Sequence, residues 1–121
     1  LFPYTTLFRS VIITIADNDA PSFISIGDFT AGSETIEIFE FEGSPVALNV
    51  QASDPNEDQL TFGATGLPEG ATVNPATGAL FWEFPVEGTY EIRFIVTDDG
   101  VPSLRDTQSV DLVIGPEPIL F

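Results

Sequence analysis

Three short runs of this chain gather residues able to hold a cation. Asp17 and Asp19 lie in DNDAPS, Asp54, Asn56 and Asp58 in SDPNED, and Asp98 and Asp99 in TDDG. Carboxylates and amide carbonyls are hard oxygen donors, and calcium takes about six to eight of them from converging loops. The spacing Asp54, Asn56, Asp58 copies the opening of an EF-hand loop. However, Gln59 stands where that loop needs glycine and Thr65 where it needs a bidentate glutamate, which excludes it. A plainer alternative stays open for DPNED: a solvated turn whose Asp54 and Asn56 side chains bond to their own backbone.

Charge narrows the partners. Nineteen acidic residues against three basic ones give a net charge of −16, which makes phosphate backbones and anionic membranes poor partners and cations the plausible ones. A charge so one-sided repels itself in the compact state, and bound divalent ions or external salt offset it. Solubility alone is the bland reading of the same excess. The chain has no His and no Lys, and no Ser sits in a nucleophile motif, which removes the usual acid–base and covalent machinery. Paired carboxylates can run glycoside hydrolysis only with a cleft and an acid of raised pKa, and no pattern here points to either. With no Cys, disulfides and thiolate chemistry are excluded as well.

At 121 residues and 43% hydrophobic composition, the chain can bury one core but not two. Residues 1–10, LFPYTTLFRS, correspond to a translation of CTC TTT CCC TAC ACG ACG CTC TTC CGA TCT. That resembles a sequencing-library adapter, so the segment is expected to be foreign and is set aside from fold reasoning. VIITIA is a β-branched run, and DNDAPS after it is a polar, proline-containing hinge. Residues 11–22 therefore read as the last strand of a preceding β-domain and its linker, residues 23–115 as one β-domain, and residues 116–121 as a truncated exit segment. Neither a secretory signal nor a run long enough to span a bilayer occurs in the sequence, so a secreted protein would carry its address elsewhere and no direct membrane insertion is expected.

The strands that must position the acidic loops are legible from alternation. An opening strand and ETIEIFEF fill residues 23–41. In the latter the inward set is expected to switch from Ile36 and Ile38 to Phe39 and Phe41, a phase change that implies a bulge or a crossing between sheets. Val46, Leu48, Val50 and Ala52 alternate with polar or small residues up to the Asp54-Pro55 turn. Leu60 and Phe62 open another strand, and Leu67-Pro68-Glu69-Gly70 is a turn. NPATG fits a hairpin loop with Gly78 left-handed, and ALFW returns from it. Tyr90, Ile92, Phe94 and Val96 make the cleanest alternation, and Val110, Leu112 and Ile114 mark the last strand. Short strands at this spacing, with no helical period, predict an all-β, two-sheet antiparallel Greek-key sandwich of about seven strands.

ASDPNEDQLTF, LPEGATVNPATGALFW and GTYEIRFIVTDDG resemble the dystroglycan-type cadherin-like domains and the related immunoglobulin-like domains of large bacterial surface proteins. The resemblance covers roughly residues 39–114. VIITIADNDAPSF resembles the final strand and exit linker of a Calx-beta or cadherin-like repeat. Where cadherins carry an Asp-Arg-Glu segment, this chain has WEFPVEGTY, with Glu83 and Glu87 alone. The resemblance implies an extracellular or cell-surface setting, neighbouring β-domains in the same chain, and a role in adhesion and spacing. It also implies calcium ligation by Asp54 and Asn56, with Asp17 and Asp19 from the linker.

In the immunoglobulin-like strand order, the entering linker, the DPNED loop, the NPATG turn and the TDDG loop share one pole. Asp17, Asp19, Asp54, Asn56, Asp58, Asn74, Asp98 and Asp99 are accordingly expected to meet there around calcium. At the other pole Glu40, Glu42, Glu83 and Glu87 could form half of a second interdomain site or a solvated acidic rim. The rival to an adhesion module is a carbohydrate-binding one, in which Trp82, Phe84 and Tyr90 stack on a glycan. That rival needs exposed, coplanar rings, whereas the ALFW position of Trp82 suits the core.

Overall fold

The computed structural model describes residues 18–118. The adapter-like segment, the upstream strand, Asp17 and residues 119–121 lie outside the described residues. Ten strands follow one another with no helix between them: β1 (Ser22–Ile26), β2 (Phe29–Thr30), β3 (Ile36–Phe41), β4 (Val46–Leu48), β5 (Val50–Ser53), β6 (Leu60–Thr65), β7 (Ala71–Val73), β8 (Leu80–Trp82), β9 (Gly88–Asp98) and β10 (Arg105–Gly115). Among the described residues no helix is long and apolar enough to cross a membrane.

They form two layers. One is the sheet β3-β10-β9-β6; the other is made of β2-β1-β5 and β4-β8-β7. β4 and β5 are one strand broken at Asn49, whose carbonyl leaves the ladder to accept a hydrogen bond from Gly27 N at 2.7 Å. This is the expected immunoglobulin-like sandwich, with one refinement. Every pairing is antiparallel except β3 with β10, which run parallel. The chain descends β1 in one layer, returns briefly as β2, crosses, and descends again as β3 in the other, so it arrives alongside β10 in the same direction.

The core lies between the layers and follows the alternation of each strand. Ile92, Phe94 and Val96 of β9 interleave with Val110, Leu112 and Ile114 of β10, and face Phe23, Ile26, Val46, Leu48, Leu80 and Trp82. The expected phase change in ETIEIFEF is absent. Ile36 and Ile38 are buried, but Phe39 is 65% exposed and Phe41 50% exposed. The reason is register: β3 pairs with β10 over its whole length without a break, so the period of two continues and both phenylalanines face solvent. The bulge lies instead in β1, between Phe23 and Ser25 against β5. The crossing between sheets lies upstream of β3, in residues 31–35.

A buried side chain fixes that crossing. Gln108, 3% exposed, donates from Nε2 to the carbonyls of Glu34 and Ser109, and its Oε1 accepts from Gly32 N. Asp106 beside it accepts from Phe23 N at 2.8 Å. Gln108→Leu keeps the volume but strands these backbone groups, and is expected to lower the unfolding free energy by roughly 2 kcal/mol or more in urea melts. A loss below a few tenths would show that water replaces the amide.

Candidate cation site at the entry pole

The chain enters the sandwich beside the loops that close β5–β6 and β9–β10. Asn18 Nδ2 donates to Asp98 Oδ2 at 3.0 Å and to the Pro102 carbonyl at 2.7 Å, and Asp19 N donates to Asn56 Oδ1 at 2.7 Å. The linker is thus laced to both loops. Gly100 is required for this, because a Cβ there would run into the Asn18 side chain.

Asp54 ends the β5 strand in an Asx turn. Its Oδ1 accepts from Asn56 N at 2.7 Å, and its carbonyl accepts from Glu57 N, the bonding expected of a self-capping DPNED turn. Its other oxygen is different. Asp54 Oδ2 is screened from solvent and has no hydrogen-bond donor among the described residues. One oxygen from each of Asp54, Asp58 and Asp98 lies within 4.8 Å of the others, a spacing at which a single ion can be shared.

Asp98, the last residue of β9, is only 4% exposed. Its Oδ1 accepts from Leu104 N at 2.8 Å and Gly100 N at 3.2 Å, and its carbonyl accepts from Ser103 Oγ. The Leu104 N–H, aided by Asn18 and Gly100, holds its carboxyl below the usual range against the opposing effect of burial. Asp58 is pushed the other way, first by desolvation and then by the charges of Asp54, Asp99 and Asp98. One carboxylate is therefore stabilised as an anion, and another is ionised at a cost that a cation would relieve.

Of the residues expected here, Asp54, Asp58 and Asp98 converge. Asn56 and Asp19 are joined to each other through the Asp19 amide, leaving the Asp19 side chain exposed. Asp99 is exposed and turns its Oδ1 to Gln59 N at 3.1 Å, latching the start of β6. Asn74 spends its oxygen on Ala76 N and Thr77 N within its own hairpin, where Gly78 takes φ +80° as the NPATG pattern predicts. Asn18 was not singled out by sequence, although it stands in the same polar hinge. Only its reach to Asp98 and Pro102 distinguishes it from its acidic neighbours. At the opposite pole Glu40, Glu42, Glu83 and Glu87 form no such close group among the described residues. Trp82 is buried and meets Tyr90 edge-on, at 5.1 Å and 89°, while Phe84 is 76% exposed and stands in a loop. These three rings do not make a coplanar platform.

A two-layer sandwich with a parallel pair at one edge and acidic loops at the entry pole defines an immunoglobulin-like domain of the cadherin-like kind. Residues 30–115 match the family model described as putative Ig domain, and the chain belongs to that family. No curated protein sequence matches it. Among solved structures it is similar to a nucleoside hydrolase-related hypothetical protein from Saccharophagus degradans that is associated with carbohydrate metabolism (20% identity, TM-score 0.66, 82% of this chain and 26% of that one). It is also similar to a putative alpha-galactosidase/melibiase from Bacteroides fragilis (19%, 0.61, 84% and 19%) and to mouse cadherin-23 repeats EC22-24 (18%, 0.62, 81% and 31%). The chain spans less than a third of each of these three, and identities this low speak for the fold alone.

Proposed function

We propose that the chain is a non-catalytic module of a multidomain surface or secreted protein, serving in adhesion and as a spacer, and that its entry pole binds calcium. The observation that carries the metal reading is Asp54, which keeps a screened carboxylate oxygen, Oδ2, without a donor among the described residues and belongs to the close group it makes with Asp58 and Asp98. Asp54, Asp58 and Asp98 supply the first ligands. Asn56, Asp99 and the linker acids Asp17 and Asp19 lie in the three segments that can complete the shell. A calcium ion there neutralises facing carboxylates and ties the linker to the body, so that the joint with a neighbouring β-domain stiffens. The spacer role is supported by the occurrence of similar sandwiches as a minor part of chains as different as an alpha-galactosidase and a cadherin.

Calcium titration followed by thermal melting tests this. Extracellular modules bind calcium with dissociation constants of about 10⁻⁴ to 10⁻³ M, so millimolar calcium is expected to stabilise the fold by roughly 0.5 to 2 kcal/mol. Asp54→Ala should abolish the shift, and an unchanged melt in wild type removes the ion from the account. Asp58→Asn should give a crossed result. Because folding raises the Asp58 pKa, its ionised form opposes folding at every pH above the folded value, and that opposition is gone below the ordinary 3.8. The variant is therefore expected to melt higher than wild type in chelator at neutral pH, yet to respond less to calcium.

A further inference from the structure

β3 is the terminal strand of its sheet: β10 flanks one side and, among the described residues, no strand flanks the other. Such an edge leaves a row of backbone N–H and C=O groups free to pair with another chain. The solvent face beside it has a definite chemistry. Phe39 lies opposite Val113, and two residues away on the same face Glu37 lies opposite Asp111, which lies opposite Glu91 on β9. Three carboxylates thus stand in one cross-strand row next to two exposed aromatic rings. Like charges directly opposite one another weaken a sheet; Arg93, the next residue on the same face of β9, lies beside Glu91, which leaves Glu37, two strands away at the open edge, as the carboxylate that a basic strand would meet.

We propose that β3 is a strand-addition site for an extended segment of another protein whose residues on one face are basic at one end and apolar at the other. Its backbone completes the β3 ladder. Its outward side chains are basic beside Glu37 and apolar beside Phe39 and Phe41, which share that face of β3. A second copy of this chain is the poorer occupant, because each copy carries a net charge of −16 and would set a second Glu37 beside the first acidic row. Glu37 then acts as a filter by sign, keeping like chains off an otherwise adhesive edge.

The test uses the whole chain in chelator, so that its outcome is independent of calcium. The protein is titrated with a short peptide whose alternate residues are lysine, valine and valine, with threonine between them, while backbone amide shifts are followed by NMR. Shifts are expected to concentrate on Ile36–Phe41. A peptide with proline at its centre should bind about tenfold or more weakly, since it cannot complete the ladder, and the same peptide with glutamate in place of lysine should not bind. Glu37→Lys and Phe39→Thr, both at exposed positions, should each weaken binding about fivefold or more while leaving the melting temperature near wild type. Equal binding of the proline-containing peptide would reveal mere charge attraction and overturn the proposal. So would shifts centred on β6 or the entry pole, absence of binding at millimolar peptide, or dimerisation of the protein alone through β3.

Discussion

Trp82→Ala is expected to lower the unfolding free energy by about 3 to 5 kcal/mol, the usual cost of deleting a large buried aromatic. Trp82 is the largest fully buried side chain, at 2% exposure. It sits on β8 with Val46 of β4 on one side and Ala71 of β7 on the other, and its indole lies over Gly70. Tyr90 from the opposite layer meets it edge-on, and Tyr90 Oη donates to the Val86 carbonyl at 2.8 Å. Removing the indole therefore opens a cavity that touches both sheets, and neither can collapse into it without breaking its ladder. Urea unfolding measures the loss, with Phe81→Ala as control. Phe81 is adjacent in sequence but faces solvent, so its truncation should stay within about 0.5 kcal/mol. Comparable losses at the two positions would refute this assignment of core and surface.

Asp98→Ala is expected to cause the largest loss of stability of any single carboxylate replacement in the domain, with or without calcium. It strands the N–H groups of Gly100 and Leu104 and frees the Asn18 amide, so that the entry linker and the β9–β10 loop come loose together. The pH dependence has a defined sign. A carboxyl whose folded pKa is depressed contributes stability that is full above its unfolded value, near 3.8, and is lost as pH falls through the lower folded value. Wild type should therefore lose this contribution only in strong acid, and Asp98→Ala should show a flatter acid limb. An unaltered acid limb would show that Asp98 is not held as described.

The sandwich was legible because its strands are buried on one face, and burial writes itself into a sequence as alternation. Tyr90 to Val96 and Val110 to Ile114 fell into place for that reason. ETIEIFEF misled for the converse reason. Phe39 and Phe41 are apolar but exposed, and hydrophobicity alone cannot tell an inward residue from one at an open edge. The parallel pairing of β3 with β10 was equally hidden, since a strand's direction relative to a partner far away in sequence depends on the crossing that Gln108 secures, and a lone glutamine in an alternating run carries no sign of that task. At the entry pole, loop membership was readable from residue type, and turn order implied that the loops converge. Which oxygens meet was not: Asp58 joins Asp54 and Asp98, whereas Asp99, in the same TDDG run as Asp98, turns away to Gln59.

The parallel pair also governs how the domain responds to tension. The chain enters beside Asp98 and leaves past Gly115, at opposite poles, so a pull on a longer chain passes along the strands. Through β1 and the crossing, the pull draws β3 toward the entry pole, while β10 is drawn toward the exit. The six residue pairs from Ile36 with Val110 to Phe41 with Gly115 are then loaded together, in shear. An antiparallel hairpin such as β7–β8, pulled at its open end, would unzip one bond at a time. A single glutamine that steers the chain from one sheet to the other thereby sets the direction in which this domain resists force.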